Sequence, residues 1–170
     1  MKKHSDYITH LDNLEDYVYL KQTHFPVNMR LFNTSLNYRN VILQQCDYLK
    51  LLVLTKMDGY KKPHGMSSAN AGLSFNIISI CRNRGTVNEY AEVMINPTIL
   101  EKSKELITAF SNCGSLTLEN PIEIQRPSWI IVSWYDEEGI YHEKKFDRNT
   151  GSFTIQHEIE HNLGILITDI

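Results

Sequence analysis

The stretch Ile155-Gln156-His157-Glu158-Ile159-Glu160-His161-Asn162-Leu163-Gly164-Ile165-Leu166 decides the reading of this chain. Phe153, Gln156, Glu160 and Leu163 recur at helical steps, and Asn149 or Thr150 can cap the start. Gly164 stands where a glycine closes a helix, so the spacing predicts a helix over Thr150–Leu163. On that helix His157 and His161 share a face one turn apart. Two imidazoles so placed can hold one metal ion with Glu158 beside it. Glu158 can then take a proton from water and pass it to a leaving group. The plainer alternative is two surface histidines on an acidic helix. A single-metal hydrolase needs a third protein ligand. A histidine six residues after His161 would fall on Ile167, and the tail offers only Asp169, too close to the helix end. The third ligand must therefore come from upstream, which argues against an ordinary protease of this pattern.

Outward from the helix, the period changes. Ile165–Ile167 reads as a short terminal strand. Upstream, 76–81, 89–95, 122–125, 128–135 and 140–146 alternate or run apolar and read as strands. Asp136-Glu137-Glu138-Gly139 reads as the turn of a hairpin, with Gly139 free to take positive φ. Ile42, Cys46, Leu49, Val53 and Met57 mark one face of a helix over Val41–Met57, widened by Leu43, Leu51, Leu52 and Leu54 and stopped by Asp58-Gly59. Residues 59–72 read as a loop. The first 40 residues read as a short helix near Tyr7–Leu20 followed by irregular chain through the Asn, Ser and Thr of Asn33–Asn40. The order implies an α+β domain over residues 1–170, with antiparallel or mixed β-sheets around the late helix.

At 170 residues the chain suits one domain. Lys plus Arg is 17 and Asp plus Glu is 20, a net charge of −3, which points away from nucleic acid as a partner. No apolar run approaches the ~18 residues of a membrane span, so no membrane is expected as a partner. The polar start lacks the apolar core of a signal peptide. Three cysteines, Cys46, Cys81 and Cys113, are too few and too widely spaced for a disulfide framework or a zinc knuckle, and a reducing cytoplasm is the expectation. Cys46 and Cys81 read as core residues, and His64 as a solvated loop residue.

Beside these readings the chain shows a resemblance. The stretch from Ile155 to Leu166 resembles the third motif of the peptide deformylases, Q-H-E-x-D-H-x-x-G-x-L. Gly72-Leu73-Ser74-Phe75-Asn76-Ile77 is similar to their first motif, G-L-[AS]-x-[PN]-Q, and Cys113-Gly114-Ser115-Leu116-Thr117 to their second, E-G-C-L-S. Met94-Ile95-Asn96-Pro97 fits the family's strand ending in N-P, and Arg126-Pro127 with the strand Trp129–Tyr135 also fits. The likeness covers residues 40–170, leaving 1–40 as a divergent N-terminal segment. It is greatest to the short bacteriophage and helix-less forms, which lack a C-terminal helix. It implies one divalent metal ion (iron, zinc or nickel) held by two histidines and the motif-two cysteine. The implied reaction removes formyl from the N-terminal formyl-methionine of nascent peptides in the cytoplasm, in a bacterium or a phage-infected one. The implied partners are formyl-methionyl peptides and the ribosome exit region.

Carried over residue by residue, the resemblance makes His157 and His161 ligands, Glu158 the general acid/base and the Leu116 backbone N–H an oxyanion donor. Gly72, Leu73, Phe75 and Ile159, joined by Ile77, would line a groove for the methionine side chain. Cys113 replaces the motif-two glutamate and Glu160, more mildly, the motif-three aspartate; two further departures fall on groups that carry the chemistry. Ser115 occupies the place of the ligating cysteine, and a hydroxyl is a much weaker ligand than a thiolate. Ile77 occupies the place of the glutamine, removing an oxyanion donor of a kind worth about 2.7–4 kcal/mol. Cys113 is a possible substitute ligand. In extended chain it sits about 6–7 Å from residue 115, so it would need a two-residue slip or a bulge; otherwise it reads as a small core filler. The departures predict a weakly filled or empty metal site. They leave two readings: an active deformylase with an unusual metal shell, or an inactive deformylase fold that binds a peptide, the ribosome or a host factor.

Overall fold

The computed structural model describes residues 25–55, 62–114, 116 and 120–170. The helix expected near Tyr7–Leu20 lies outside them, as do Met57 and the stop expected at Asp58-Gly59. Two helices open the described chain, α1 (Met29–Thr34) and α2 (Leu36–Leu54). The chain expected to be irregular instead supplies their caps, Ser35 from within the polar cluster and Asn28 from before it. Asn28 Oδ1 accepts the N–H of Leu31 at 3.1 Å, and Ser35 Oγ accepts that of Tyr38 at 3.4 Å. The buried stripe of α2 is Ile42, Cys46, Leu49, Leu52 and Val53. Leu51 is 60% exposed and Leu54 38%, so neither widens that stripe as expected.

Seven strands come next: β1 (Gly65–Ser67), β2 (Ile77–Arg82), β3 (Tyr90–Lys102), β4 (Leu106–Ser111), β5 (Ile122–Pro127), β6 (Trp129–Tyr135) and β7 (Tyr141–Asp147). One sheet has the order β1-β2-β3-β6-β7, and β4 and β5 form a separate two-stranded ribbon. Every strand pair is antiparallel. β1 arises inside the expected loop. β3 runs well past the expected end at Ile95, because Asn96 takes φ 54° and the register shifts between Ile95 and Thr98. The irregularity lets Pro97 sit in the strand without a ladder N–H. Asn96 also grips the N-terminal segment: its Oδ1 accepts from Val27 N at 2.7 Å and its Nδ2 donates to Val27 O at 2.7 Å.

The period of two sorts the main sheet into two faces. Ile77, Val93 and Ile95 pack with α2, together with Phe32 and Val27. Ile78, Ile80, Met94, Ile130, Val132 and Phe146 pack on the other side against Ile155 and Ile159 of the last helix, α3 (Ser152–Asn162). The strand expected at Ile165–Ile167 does not form. The chain turns instead, with Asp169 Oδ2 accepting from Leu166 N at 2.8 Å and Asp169 N donating to Leu166 O at 3.0 Å.

Candidate metal centre

Helix α3 begins without the expected side-chain cap: Gly151, at φ 95°, holds the N-cap position. It ends as the sequence implied. Gly164 takes φ 75°, its N–H reaches His161 O, and the N–H of Ile165 reaches Glu160 O, both at 2.9 Å. Between these ends the helix aims both imidazoles at one point. His157 Nε2 and His161 Nε2 are 2.9 Å apart, and Cys113 Sγ is 3.2 Å from His161 Nε2. All three donor atoms lie within 4.8 Å of one another. In a tetrahedral zinc site, bond lengths of ~2.0–2.1 Å to nitrogen and ~2.3 Å to sulfur put neighbouring donors about 3.3–3.6 Å apart. The trio is therefore close to closing on an ion. Both histidines are held neutral, with lone pairs available. Burial and then Arg126 lower His157 to about 4. Burial, then His157 and Arg126, push His161 well below its ordinary value, against a backbone hydrogen bond with Ile165. His157 Nδ1 is buried without a hydrogen-bond partner. One thiol and two imidazoles make a donor set that suits zinc or ferrous iron, so the residues present fit such an ion.

The third donor among the described residues is thus Cys113, which is 4% exposed. Ser115, expected at the ligand position, lies outside the described residues. The objection that Cys113 sits too far along an extended strand does not apply. β4 stops at Ser111 and the chain turns, Leu116 N–H donating to Cys113 O at 3.2 Å. That bond also occupies the Leu116 N–H expected to serve as an oxyanion donor.

Glu158 is 5% exposed, and burial pushes its carboxyl up to about 8, with Glu160 adding to the rise. A backbone hydrogen bond from Ser67 and the charge of Arg126 pull the other way. Its side chain lies against β1 so closely that a Cβ at Gly65 would come within 2.8 Å of Glu158 Cγ and 2.9 Å of Oε1. Ile77 is fully buried in the α2-side core, with Leu73 and Phe75 packed against the same cluster. Ile159 belongs to the core on the opposite face. The expected groove combining these four side chains is therefore not assembled. Gly72 is exposed, with φ 66°.

Two polar anchors of the site were not marked as such by the sequence. Arg126, 2% exposed, pairs with Glu160 through Nη1–Oε1 at 2.5 Å and Nη2–Oε2 at 2.6 Å. This fork holds β5 to the helix one residue before His161. Asn162, one residue after His161, bonds to the first-motif loop: its Oδ1 accepts from Ala69 N at 3.2 Å, and its Nδ2 donates to Asn76 Oδ1 and Ile77 O. A short polar side chain at the end of a metal-binding helix pattern was the available signal for it.

The comparisons with known proteins agree on family and fold. The polypeptide deformylase family model matches residues 29–170, beginning inside the stretch read as a divergent N-terminal segment. A peptide deformylase of Karelsulcia muelleri is 34% identical over 106 residues, covering 62% of this chain and 54% of that protein. The chain spans about half the length of the curated relatives it matches. A probable peptide deformylase from Synechococcus phage S-SSM7 superposes with a TM-score of 0.62 at 26% identity, over 76% of this chain and 80% of that one. The Met-Ala-Ser-bound class I type b peptide deformylase of Acinetobacter baumannii shares the fold, with a TM-score of 0.65 at 23% identity over 77% and 82%. With a family match over most of its length and the α+β fold of these structures, the chain belongs to the polypeptide deformylase family.

Proposed function

We propose that this chain is a metal-dependent deformylase that releases formate from N-terminal formyl-methionyl peptides. One observation carries the reading: Cys113, His157 and His161 converge on one point, with Glu158 buried beside them on the same helix. It also suggests a different frame for the second motif. With Cys113 as the motif cysteine, E-G-C-L-S falls on Ser111-Asn112-Cys113-Gly114-Ser115, so Cys113 and Ser115 both match. The residue after the ligand is then Gly114, whose backbone N–H takes the oxyanion role expected of Leu116.

Cys113, His157 and His161 would hold a divalent iron, zinc or nickel ion, which would serve as a Lewis acid and lower the pKa of a bound water. The rest falls to the protein. Glu158 takes a proton from the water as its oxygen bonds to the formyl carbon. It returns that proton to the peptide nitrogen as the C–N bond breaks, leaving formate and a free amine. Arg126 and Glu160 fix the roll of the helix that carries these groups. The Met-Ala-Ser bound to the Acinetobacter relative supports a peptide beginning with methionine as the product. We take the reaction to run in the cytoplasm, near the ribosome exit, where formyl-methionyl chains emerge.

The test is anaerobic purification with ferrous iron, metal analysis, and a formate-release assay on formyl-Met-Ala-Ser. The expected result is one equivalent of metal and turnover that is lost in Glu158→Ala. Ile77, which offers no donor, favours a second reading, a binding module for peptides, the ribosome or a host factor. A full equivalent of metal with no formate released would select it.

A further inference from the structure

We infer that Asn76, oriented by Asn162, is a catalytic amide donor to the oxyanion; this rests on the deformylase reading above. Attack on a formamide carbon places negative charge on the formyl oxygen, and pre-aimed N–H donors there lower the barrier most. Ile77 cannot supply one, since its side chain is apolar and buried on the α2 side of the sheet. Neighbouring residues of extended chain project to opposite faces. Asn76 accordingly meets α3: its Oδ1 accepts from Asn162 Nδ2 at 2.9 Å.

The orientation of both amides is determined by backbone groups. Asn162 Oδ1 faces a donor, the N–H of Ala69 at 3.2 Å, and its Nδ2 faces an acceptor, the carbonyl of Ile77 at 3.1 Å. Its nitrogen is therefore the atom presented to Asn76, and the oxygen of Asn76 must be the atom that receives it. The NH2 group of Asn76 is left facing elsewhere, with no protein acceptor among the described residues. Asn76 is half-buried, and its backbone is held on both sides, N–H to Phe25 O and carbonyl from Asn96 N, each at 2.8 Å. The site thus has an immobilised amide, one hydrogen bond from the residue after His161, whose two donor hydrogens are uncommitted. That is the chemistry a developing oxyanion selects.

The decisive pair is Asn76→Ala, which removes the donor without adding charge, and Asn76→Asp, which keeps the acceptor for Asn162 but exchanges the NH2 group for a charged oxygen; Asn162→Ala accompanies them. In ferrous-loaded protein on formyl-Met-Ala-Ser, Asn76→Asp and Asn76→Ala should each lower kcat about 100–1000-fold. KM should stay within about threefold. Asn162→Ala should lose a similar share of kcat, and the Asn76→Ala/Asn162→Ala pair no more than the worse single change, since the two act as a unit. A readout separate from turnover uses zinc-loaded, nitrogen-15-labelled protein. The side-chain NH2 signal that disappears in Asn76→Ala should shift with formyl-Met-Ala-Ser and not with Met-Ala-Ser. Wild-type kcat in Asn76→Asp, or an NH2 signal indifferent to the formyl group in a protein that turns over, overturns the inference and leaves the deformylase reading standing. A fully loaded wild type without turnover overturns that reading, and this inference with it.

Discussion

The two faces of the main sheet both bury side chains but are chemically unlike. On one side α2 buries five residues, four of them aliphatic and the fifth Cys46. On the other α3 buries seven, of which Ser152, Gln156, Glu158, His161 and Asn162 are polar. Two cysteines, one on each side, feel the difference. Both are buried, but Cys46 sits among aliphatic side chains, and burial drives its thiol up to about 12. Cys113 sits 3.2 Å from an imidazole. Burial alone makes a thiol inert; burial beside aimed nitrogen donors makes it a ligand. An apolar face is fixed by its water-avoiding area, whereas a polar buried face has to match donor to acceptor one by one. The α3 face carries that burden for a purpose the α2 face does not share.

The largest contrast should appear on removing the two thiols. Cys113→Ala should lower metal affinity by at least ~100-fold and abolish formate release, measured by metal analysis and assay. Cys46→Ala should leave both intact and register only as a modest loss in a denaturant melt. A Cys113→Ala protein that keeps its metal would break the comparison.

Next comes the Arg126–Glu160 fork. Arg126→Ala leaves a largely buried carboxylate alone and should cost about 3 kcal/mol in urea unfolding, while the double change of Arg126 and Glu160 to Met should recover most of it. Leu49→Ala on the other face should cost a similar ~2–5 kcal/mol, with no second substitution able to restore it by pairing.

A smaller effect depends on pH and sharpens the contrast in metal-free protein. Glu158 rises from 4.5 to about 8 on folding, so above its unfolded value the folded state binds more protons than the unfolded, and stability falls as pH rises toward 8. His157 drops from 6.5 to about 4 and His161 is also pushed well below 6.5, so their contribution is lost as pH falls below 6.5. Stability should peak near pH 6.5. It should then lose on the order of 2 kcal/mol by pH 8, from a slope of ~1.4 kcal/mol per unit. Glu158→Gln should flatten the alkaline limb in melts across the range; an unchanged limb would contradict the assignment. The smallest effect belongs to the α2 side, where Lys50 pairs with Glu137 at 2.7 Å and both are partly exposed. Lys50→Ala should cost under ~1 kcal/mol and change neither metal content nor turnover.

Elements whose burial follows a simple period were legible in the sequence. The continuous apolar run of β2, the apolar residues of β6 with the hairpin turn that leads to β7, and the three- and four-residue steps of α2 put these elements where they are, to within about five residues at the ends. Elements set by local polar bonds were not. Asn28 and Ser35 look like loop residues and act as caps, so α1 and the first turn of α2 were missed. Asn96-Pro97 looks like a stop and is an irregularity within β3. β4, with Leu106 and Phe110 exposed, has no dry face to give it a pattern. At the site, the pairing of His157 with His161 comes from helix geometry alone, and the structure brings the two rings together. Cys113 was obscured as the third candidate donor because Leu116 matches the family's leucine in the frame that puts Ser115 at the ligand position. Only the turn after Ser111 shows which sulfur faces the histidines.

The grip of Asn96 on Val27 also has a kinetic meaning. It joins positions 69 apart in the chain, Asn162 to Asn76 joins positions 86 apart, and Cys113 to His161 joins positions 48 apart. The β6–β7 hairpin, by contrast, closes over a short turn whose Asp136 Oδ1 takes the N–H groups of Glu138 and Ile140. Contacts of long sequence separation bear the larger loop-closure entropy and form late. During refolding the hairpin should gain amide protection first. The first-motif loop should gain it only when residues 25–27 are stitched against Ser74 and Asn96. The segment around residues 25–27 is then the final clasp on the candidate site: a nascent chain holds its sheet before it holds its donor atoms together.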